Sequence, residues 1–396
     1  DTHEGGRRMR EVAIIGIGQT KFGELWDLSF REIGIQAGLA AVYDANVASE
    51  DIEALYVGNM SAGRFIDQEH VAALIADYSG LARDHVPASR VEAAGASGAM
   101  AVRQGYFDVA SGLHDIVVVG GAEKMTDLPD ADGAAIQDSA ADQQWECVFG
   151  ATFPALHAMI ARRHMLDFGT TREQIASVAV KNHKHGALNP KAQFQKEIKL
   201  DTVLNSALVA EPLRMFDCAP LSDGGAAVVM CAMDKARKYT DSPVKILASS
   251  QSSDTLALHH RKTITSFQAT REAMKKLTRR TGVEVSQINL AELHDNFTIS
   301  EILALEDIGF FAQGEAGKAT VDGQTQIGGR VAVNTSGGLK ARGDPIGATG
   351  VAQIVELVTQ LRGEAGKRQV SNAKYGLAQS VGGTGSTVVM HLLGVA

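Results

Sequence analysis

Only three cysteines, Cys147, Cys218 and Cys231, occur in 396 residues. They form no CxxC pair and no even-numbered framework, which excludes a disulfide-stapled domain and a thiolate zinc site and points to a reducing cytoplasm. Excess positive charge is missing too. The formal charge is −8, so general attraction to nucleic acid or to an anionic membrane is excluded as the basis of binding. Local basic clusters such as Arg162, Arg163 and His164 remain candidates for holding a phosphate-bearing ligand. No apolar run reaches spanning length, and the polar opening DTHEGGRRMR lacks the apolar centre of a signal peptide. That opening reads as a disordered leader or a cloning remnant, with Met9 as the true start.

What is present is an ordinary globular balance, 45% hydrophobic and 21% charged, in a length that suits two or three domains. The organising stretch is 88–113, ASRVEAAGASGAMAVRQGYFDVASGL, which reads as a strand, a glycine elbow at Gly95 and an amphipathic helix. Met100, Ala101, Tyr106, Val109 and Ala110 supply the buried stripe of that helix. The first amides of such a helix lack internal partners and carry its positive dipole end, so the elbow suits an oxyanion. The apex itself carries no nucleophile.

Around this stretch the chain alternates strand and helix. VAIIGIG from Val12 is an apolar strand, Phe30 to Tyr43 has helical spacing, and the segments Ala54–Met60, Glu69–Tyr78 and Ile116–Val119 continue the series as strand, helix and strand. Between about Asp127 and Pro212 the alternation breaks into helical segments, Ala155–Met165 and Arg172–His185, among loops. DCAPLSDGGAAVVMCAM then restores a strand, with Gly224 and Gly225 read as a turn. A second series runs from Val244 through Ser266–Thr281, Asn289–Leu293, Ile299–Ile308, Arg330–Asn334 and Gly350–Leu361 to a closing hairpin, Gly376–Gln379 with Ser386–Leu393. The two series have the same order, with 88–111 matching 330–361, which predicts an internal duplication of buried parallel strands with helices outside and between two sheets. The expected divisions are 9–126 with 213–240 as the first half, 127–212 as an insertion over the site, and 241–396 as the second half.

Seven strings then fall in order along the whole chain: VEAAGASGAMAVRQG, DIVVVGGAEKM, GATFPAL, DCAPLSDGGAA, HDNF, NTSGGLKARGDPIGATG and SVGGTG. Together they resemble the thiolase superfamily, nearest to the archaeal acetoacetyl-CoA thiolases and the sterol-carrier-protein type. The resemblance implies a duplicated five-layer αβαβα fold. It also implies a CoA thioester as substrate with no covalently bound cofactor, a homodimer or dimer of dimers, and a small OB-fold, zinc-ribbon partner. Within the motifs, Gly95 stands at the position of the family's cysteine nucleophile and Asp344 of GDP at that of its activating histidine. Ser380 stands where many thiolases have a second cysteine. His294 of HDNF and the oxyanion amide of Gly382 remain.

Glycine cannot form an acyl-enzyme, and a carboxylate is a different base from an imidazole. Asp344 is read as a turn residue, or, beside a thioester, as a base or as a partner of His294. Ser97 is normal for the family and is a weak substitute nucleophile, and the three cysteines read as core. Phe153, Met159, Ser249 and Asn334 are expected to bind substrate. Pantetheine is expected to enter between the insertion and the second half. His183 and His185, two apart in KNHKHG, lack a third ligand in sequence and are read as a solvent-side helix end rather than a metal site. The expected activity is making or breaking a carbon–carbon bond beside a thioester carbonyl without an acyl-enzyme. The alternatives are a retro-aldolase working with the OB-fold partner, from which HDNF departs by keeping histidine, and a non-catalytic subunit or inactivated acetyltransferase.

Overall fold

The computed structural model describes residues 9–395. The opening read as a leader therefore lies almost wholly outside the described residues. The first half runs β1 (Val12–Gln19), α1 (Phe30–Ala45), β2 (Ala54–Gly58), α2 (Val71–Ser79), β3 (Ala88–Val91), α3 (Ser97–Ser111) and β4 (Ile116–Glu123). The insertion contributes α4 (Phe153–Phe168), α5 (Arg172–Gly186) and a small ribbon of β5 (Leu208–Ala210) with β6 (Leu213–Arg214), after which β7 (Gly224–Ala232) returns to the first half. The second half runs β8 (Val244–Ser253), α6 (Gln268–Thr281), β9 (Leu290–Glu292), α7 (Thr298–Ile308), β10 (Ala332–Val333), α8 (Ile346–Leu361), β11 (Tyr375–Gly382) and β12 (Thr387–Val395).

Local chemistry explains the ends of several helices. Ser29 and Glu32 close a capping box at the start of α1, and Thr171 with Gln174 does the same for α5. Asn46, with φ +49°, ends α1 in the left-handed region that asparagine tolerates.

Strand order shows the duplication. The first half pairs as β3-β2-β4-β7-β1 and the second as β10-β9-β11-β12-β8, the same order with the same directions. In each half three neighbouring strands are parallel, the fourth (β7 or β12) is antiparallel to both its neighbours, and the fifth (β1 or β8) runs with the first three. The expectation of buried parallel strands is thus corrected at β7, which reverses direction beside β4, while β11 and β12 form the closing hairpin read from the sequence. The two halves are also joined edge to edge, because Val12, Ala13 and Ile14 of β1 pair with Ile246, Lys245 and Val244 of β8, giving one ten-stranded sheet. Gly224 and Gly225 are strand residues rather than a turn. Their missing Cβ atoms make room for Phe22 and for the Ile33 carbonyl of α1.

The layers follow from which faces are apolar. α1 covers one face of the first half, and α6 covers the opposite outer face over β8 and β12. Between them lie α3 and α8, packed on each other and on both halves of the sheet, with Val102, Val109, Val117, Met230, Ile354, Leu357 and Leu393 in one apolar cluster. The crossing is close because the contact residues are small: a Cβ on Gly98 would sit 2.6 Å from the Gly347 carbonyl, and one on Gly350 would sit 2.2 Å from the Ala99 nitrogen. α7 is buried along its whole length beneath α5 of the insertion. The architecture is thus the duplicated five-layer αβαβα arrangement.

Backbone atoms cannot yield as a flexible side chain can. Gly350→Val is therefore expected to destabilise the fold by about 3 kcal/mol or more, while Ala352→Gly, in the same helix, costs about 1 kcal/mol. Denaturant midpoints of the two variants check the contrast.

Candidate active site

The elbow after β3 is a 3-10 turn, Ala94–Ala96, that feeds directly into α3. Its first backbone bond runs from the Ala96 N–H to the Ala93 C=O, so the preceding amides, Gly95 among them, come before any internal partner. Ser97 fastens the turn: its Oγ donates to the Ala94 carbonyl at 2.7 Å and accepts from the Ala93 N–H at 2.9 Å. That double commitment removes Ser97 as a nucleophile. The left-handed residue is Ala94, at φ +49°, and not Gly95. Gly95 is therefore a glycine for lack of space: a Cβ there would lie 2.4 Å from the Val381 carbonyl, 3.0 Å from His294 Cε1 and 3.1 Å from His294 Nε2.

His294 follows β9 and is 2% exposed. Its backbone N–H donates to Gln379 Oε1 at 3.1 Å, while its buried Nδ1 has no partner among the described residues. An orphaned acceptor costs less than an orphaned donor, which assigns the ring proton to Nε2, the atom facing Gly95. Burial, reinforced by His157 and Arg342, pushes the pKa of His294 down to about 3, so the ring is neutral.

Asp344 begins the approach to α8. Burial raises its pKa to about 6, opposed by a 2.6 Å hydrogen bond from Thr349 Oγ1 and by the Arg342 charge. Its N–H donates to Ser222 Oγ at 2.9 Å. The carboxyl is thus held by Thr349, and of the readings open for Asp344 the pairing with His294 is not the one made.

These residues meet in one pocket of about 40 Å³, lined by Gly95, His294, Asp344 and Phe153 together with Met60, Asn296, Phe297, Ile346 and others. Among the described residues its lining contains no cysteine, serine, threonine, tyrosine or lysine. The pocket shares Gln137, Ala219 and Phe297 with an outer cleft of about 590 Å³. That cleft opens between the insertion and segments 24–26 and 218–221 of the first half, with Phe297 from the second half.

Other expected residues lie elsewhere. Gly382 stands between the lining residues Val381 and Gly383. Met159 is 47% exposed on α4. Ser249 is buried within β8, accepting from Arg103 Nη1 at 3.0 Å. Asn334 is buried and spent on structure: Oδ1 accepts from the Leu293 N–H and Nδ2 donates to Glu301 at 2.7 Å. His183 and His185 are buried rather than solvent-side, with each Nδ1 against a carbonyl oxygen, Lys196 and Asn334 respectively. Of the basic cluster, Arg162 and Arg163 stay exposed, Arg163 pairing with Asp167, while His164 is buried between Thr170 and Glu306. Cys231 is buried, but Cys147 and Cys218 are only partly so, and Cys218 lines the outer cleft. Burial raises the Cys218 pKa to about 12, which keeps its thiol protonated.

Asn296 and Phe297 were missed as individual residues although both stand in HDNF. Asn296 spends its Oδ1 on the Phe297 N–H at 3.0 Å, leaving its amide hydrogens for the pocket. Phe297 stacks on His157 at 4.1 Å and approaches Phe153 at 5.8 Å.

Residues 12–234 match the family described as Thiolase, N-terminal domain, and residues 250–395 match Thiolase C-terminal domain-like. The chain is 54% identical over 384 residues to an acetyl-CoA acetyltransferase of Methanothermobacter thermautotrophicus, covering 97% of this chain and 99% of the relative. It is 36% identical over 364 residues to the benzoylsuccinyl-CoA thiolase subunit BbsB of Thauera aromatica, covering 91% of each. Among solved structures, the Ltp2-ChsH2(DUF35) aldolase superposes with a TM-score of 0.86 at 32% identity over 98% of both chains. The chain belongs to the thiolase family.

The raised pKa of Asp344 has a sign that can be measured. A carboxyl whose folded pKa lies above its ordinary 3.8 favours the folded state fully below that value, and the advantage is lost as pH rises to about 6. Roughly two pH units at about 1.4 kcal/mol each give about 3 kcal/mol. Asp344→Asn is expected to remove this fall in stability between pH 4 and 7, as read from denaturant midpoints across that range.

Proposed function

We propose that this chain binds an acyl-CoA thioester and makes or breaks a carbon–carbon bond beside the thioester carbonyl without an acyl-enzyme. The observation that carries it is the pairing, in one pocket, of a neutral His294 with a carboxyl of raised pKa, opposite a glycine where a nucleophile would stand. A neutral imidazole with so low a pKa is a poor base and a good hydrogen-bond donor to an oxyanion, whereas a carboxyl near pKa 6 is a competent base at neutral pH.

The chemistry that uses both is cleavage of a β-hydroxyacyl thioester. Asp344 takes the β-hydroxyl proton, a carbonyl forms at Cβ as the Cα–Cβ bond breaks, and the electron pair moves into the thioester enolate. His294 Nε2–H, the Asn296 amide and the Gly95 N–H hold the enolate oxygen, and Asp344 returns its proton to Cα. The aldolase among the structural relatives supports this direction, while the acetyltransferase relatives support the CoA thioester as substrate. A homodimer or dimer of dimers, with an OB-fold, zinc-ribbon partner of the kind the DUF35 relative suggests, completes the proposal.

Incubation with acetyl-CoA is expected to leave no acyl adduct by mass spectrometry, and thiolysis of acetoacetyl-CoA should be negligible. Cleavage of a 3-hydroxyacyl-CoA, assayed with and without the partner, should rise with pH through about 6, as the Asp344 base form appears. Asp344→Asn should lower it at least about 100-fold. A covalent adduct on the unmodified chain would refute the proposal. Substrate binding without any turnover, even with the partner, would favour the non-catalytic subunit.

The double change Gly95→Cys with Asp344→His tests the frame itself. The new Cβ must displace the Val381 carbonyl from 2.4 Å, so restored acyl transfer should be small and accompanied by lost stability. Gly95→Cys alone should restore less still, because the thiol lacks an imidazole to deprotonate it.

A further inference from the structure

Trp26 is 70% exposed, yet it lines the outer cleft that joins the reacting pocket. Its segment is firmly held. Gly23 exchanges both backbone bonds with Asp223 at 3.2 and 2.7 Å, and the Leu25 N–H donates to the Asp223 carboxylate at 3.0 Å. Asp223 is fully buried and pairs with Lys124 at 2.8 Å, and Lys124 Nζ also donates to the Leu25 carbonyl at 3.2 Å. A buried ion pair therefore fixes the backbone on either side of Trp26, and the indole stands at the surface, where apolar burial alone would have drawn it in.

The charges around it are sorted. The charged residues lining the cleft are Glu24 and Asp130, both acidic, so a diphosphate is disfavoured inside. Lys21 and Lys191, close in sequence to the lining residues Glu24 and Gln193, are both exposed, and their segments are tied together by the Phe22 N–H donating to the Lys191 carbonyl at 3.0 Å. A neutral, flexible arm suits the cleft, an anionic group suits the lysines, and a flat ring bearing an amino group suits Trp26 beside Glu24.

We propose that Trp26 is the stacking platform for the adenine of the coenzyme A thioester, with Glu24 accepting from the adenine amino group and Lys21 and Lys191 beside the phosphates. This rests on the proposed CoA thioester substrate. Every base offers a π face to an aromatic ring, and the exocyclic amine of adenine is a donor that a carboxylate can accept.

The test compares coenzyme A with S-acetylpantetheine, which keeps the arm and lacks the nucleotide. With Trp145→Phe as background, Trp26 is the single tryptophan reporter, since the chain has two. Coenzyme A should quench its fluorescence and S-acetylpantetheine should not. Trp26→Ala should raise the Kd for coenzyme A about tenfold and leave S-acetylpantetheine unchanged, with Trp26→Phe restoring most of the loss. Equal effects of Trp26→Ala on both compounds, or on neither, would overturn the inference. If S-acetylpantetheine binds the unmodified chain as tightly as coenzyme A, the platform is wrong and the proposed substrate stands. If neither binds, both fall. Shielding of Trp26 by a purified OB-fold partner, with no response to coenzyme A, would reassign this face to protein docking.

Discussion

The close crossing of α3 and α8 is the constraint on which the rest depends. Gly98 against Gly347, and Gly350 against Ala99, bring two helix backbones to a separation that no larger residue allows. Because α3 starts at the Gly95 elbow and α8 starts just after Asp344, that crossing also sets the distance between the two halves of the pocket. Glu123 reinforces it from the end of β4, accepting from the Met60, Ser61 and Gly347 backbone N–H groups at 2.9, 3.1 and 3.0 Å. One carboxylate thereby ties β2, β4 and the start of α8 together.

Burial then decides the chemistry of the site. Glu123, Asp344 and Glu292 all have their pKa values raised by burial, and His294 and His157 have theirs lowered. Each shift favours the neutral form, as removal of charge from water requires. A site built this way is poor at holding permanent charge and well suited to stabilising charge that appears only during reaction. The same burial quiets Cys218, which lines the route to the pocket as a protonated thiol.

Much of the fold was legible because its signals are local. The order of strands and helices, the insertion and the duplication all follow from apolar periodicity and glycine punctuation, and the residues that the motifs singled out include four, Gly95, His294, Asp344 and Phe153, that line one pocket. Met159, Ser249 and Asn334 failed as pocket residues for a shared reason: the direction of a side chain depends on its turn of helix or its face of a strand, and their motifs did not fix that. Asn296 and Phe297 were hidden in a motif read for its histidine alone.

The sequence by itself determined the element order, the repeated half and the absence of a nucleophile at the elbow, since each is written in residues near one another or in residue type. Only the tertiary structure decided that β7 runs antiparallel beside β4 and that β1 and β8 fuse the halves into one sheet. It alone showed that Gly95 is small because the Val381 carbonyl stands 2.4 Å from where its Cβ would be, and that Asp344 answers to Thr349 instead of His294. Apart from the local Thr349 bond, those outcomes depend on contacts between residues a hundred or more positions apart, and all depend on the loss of water around them, neither of which leaves a mark on a single chain read in order.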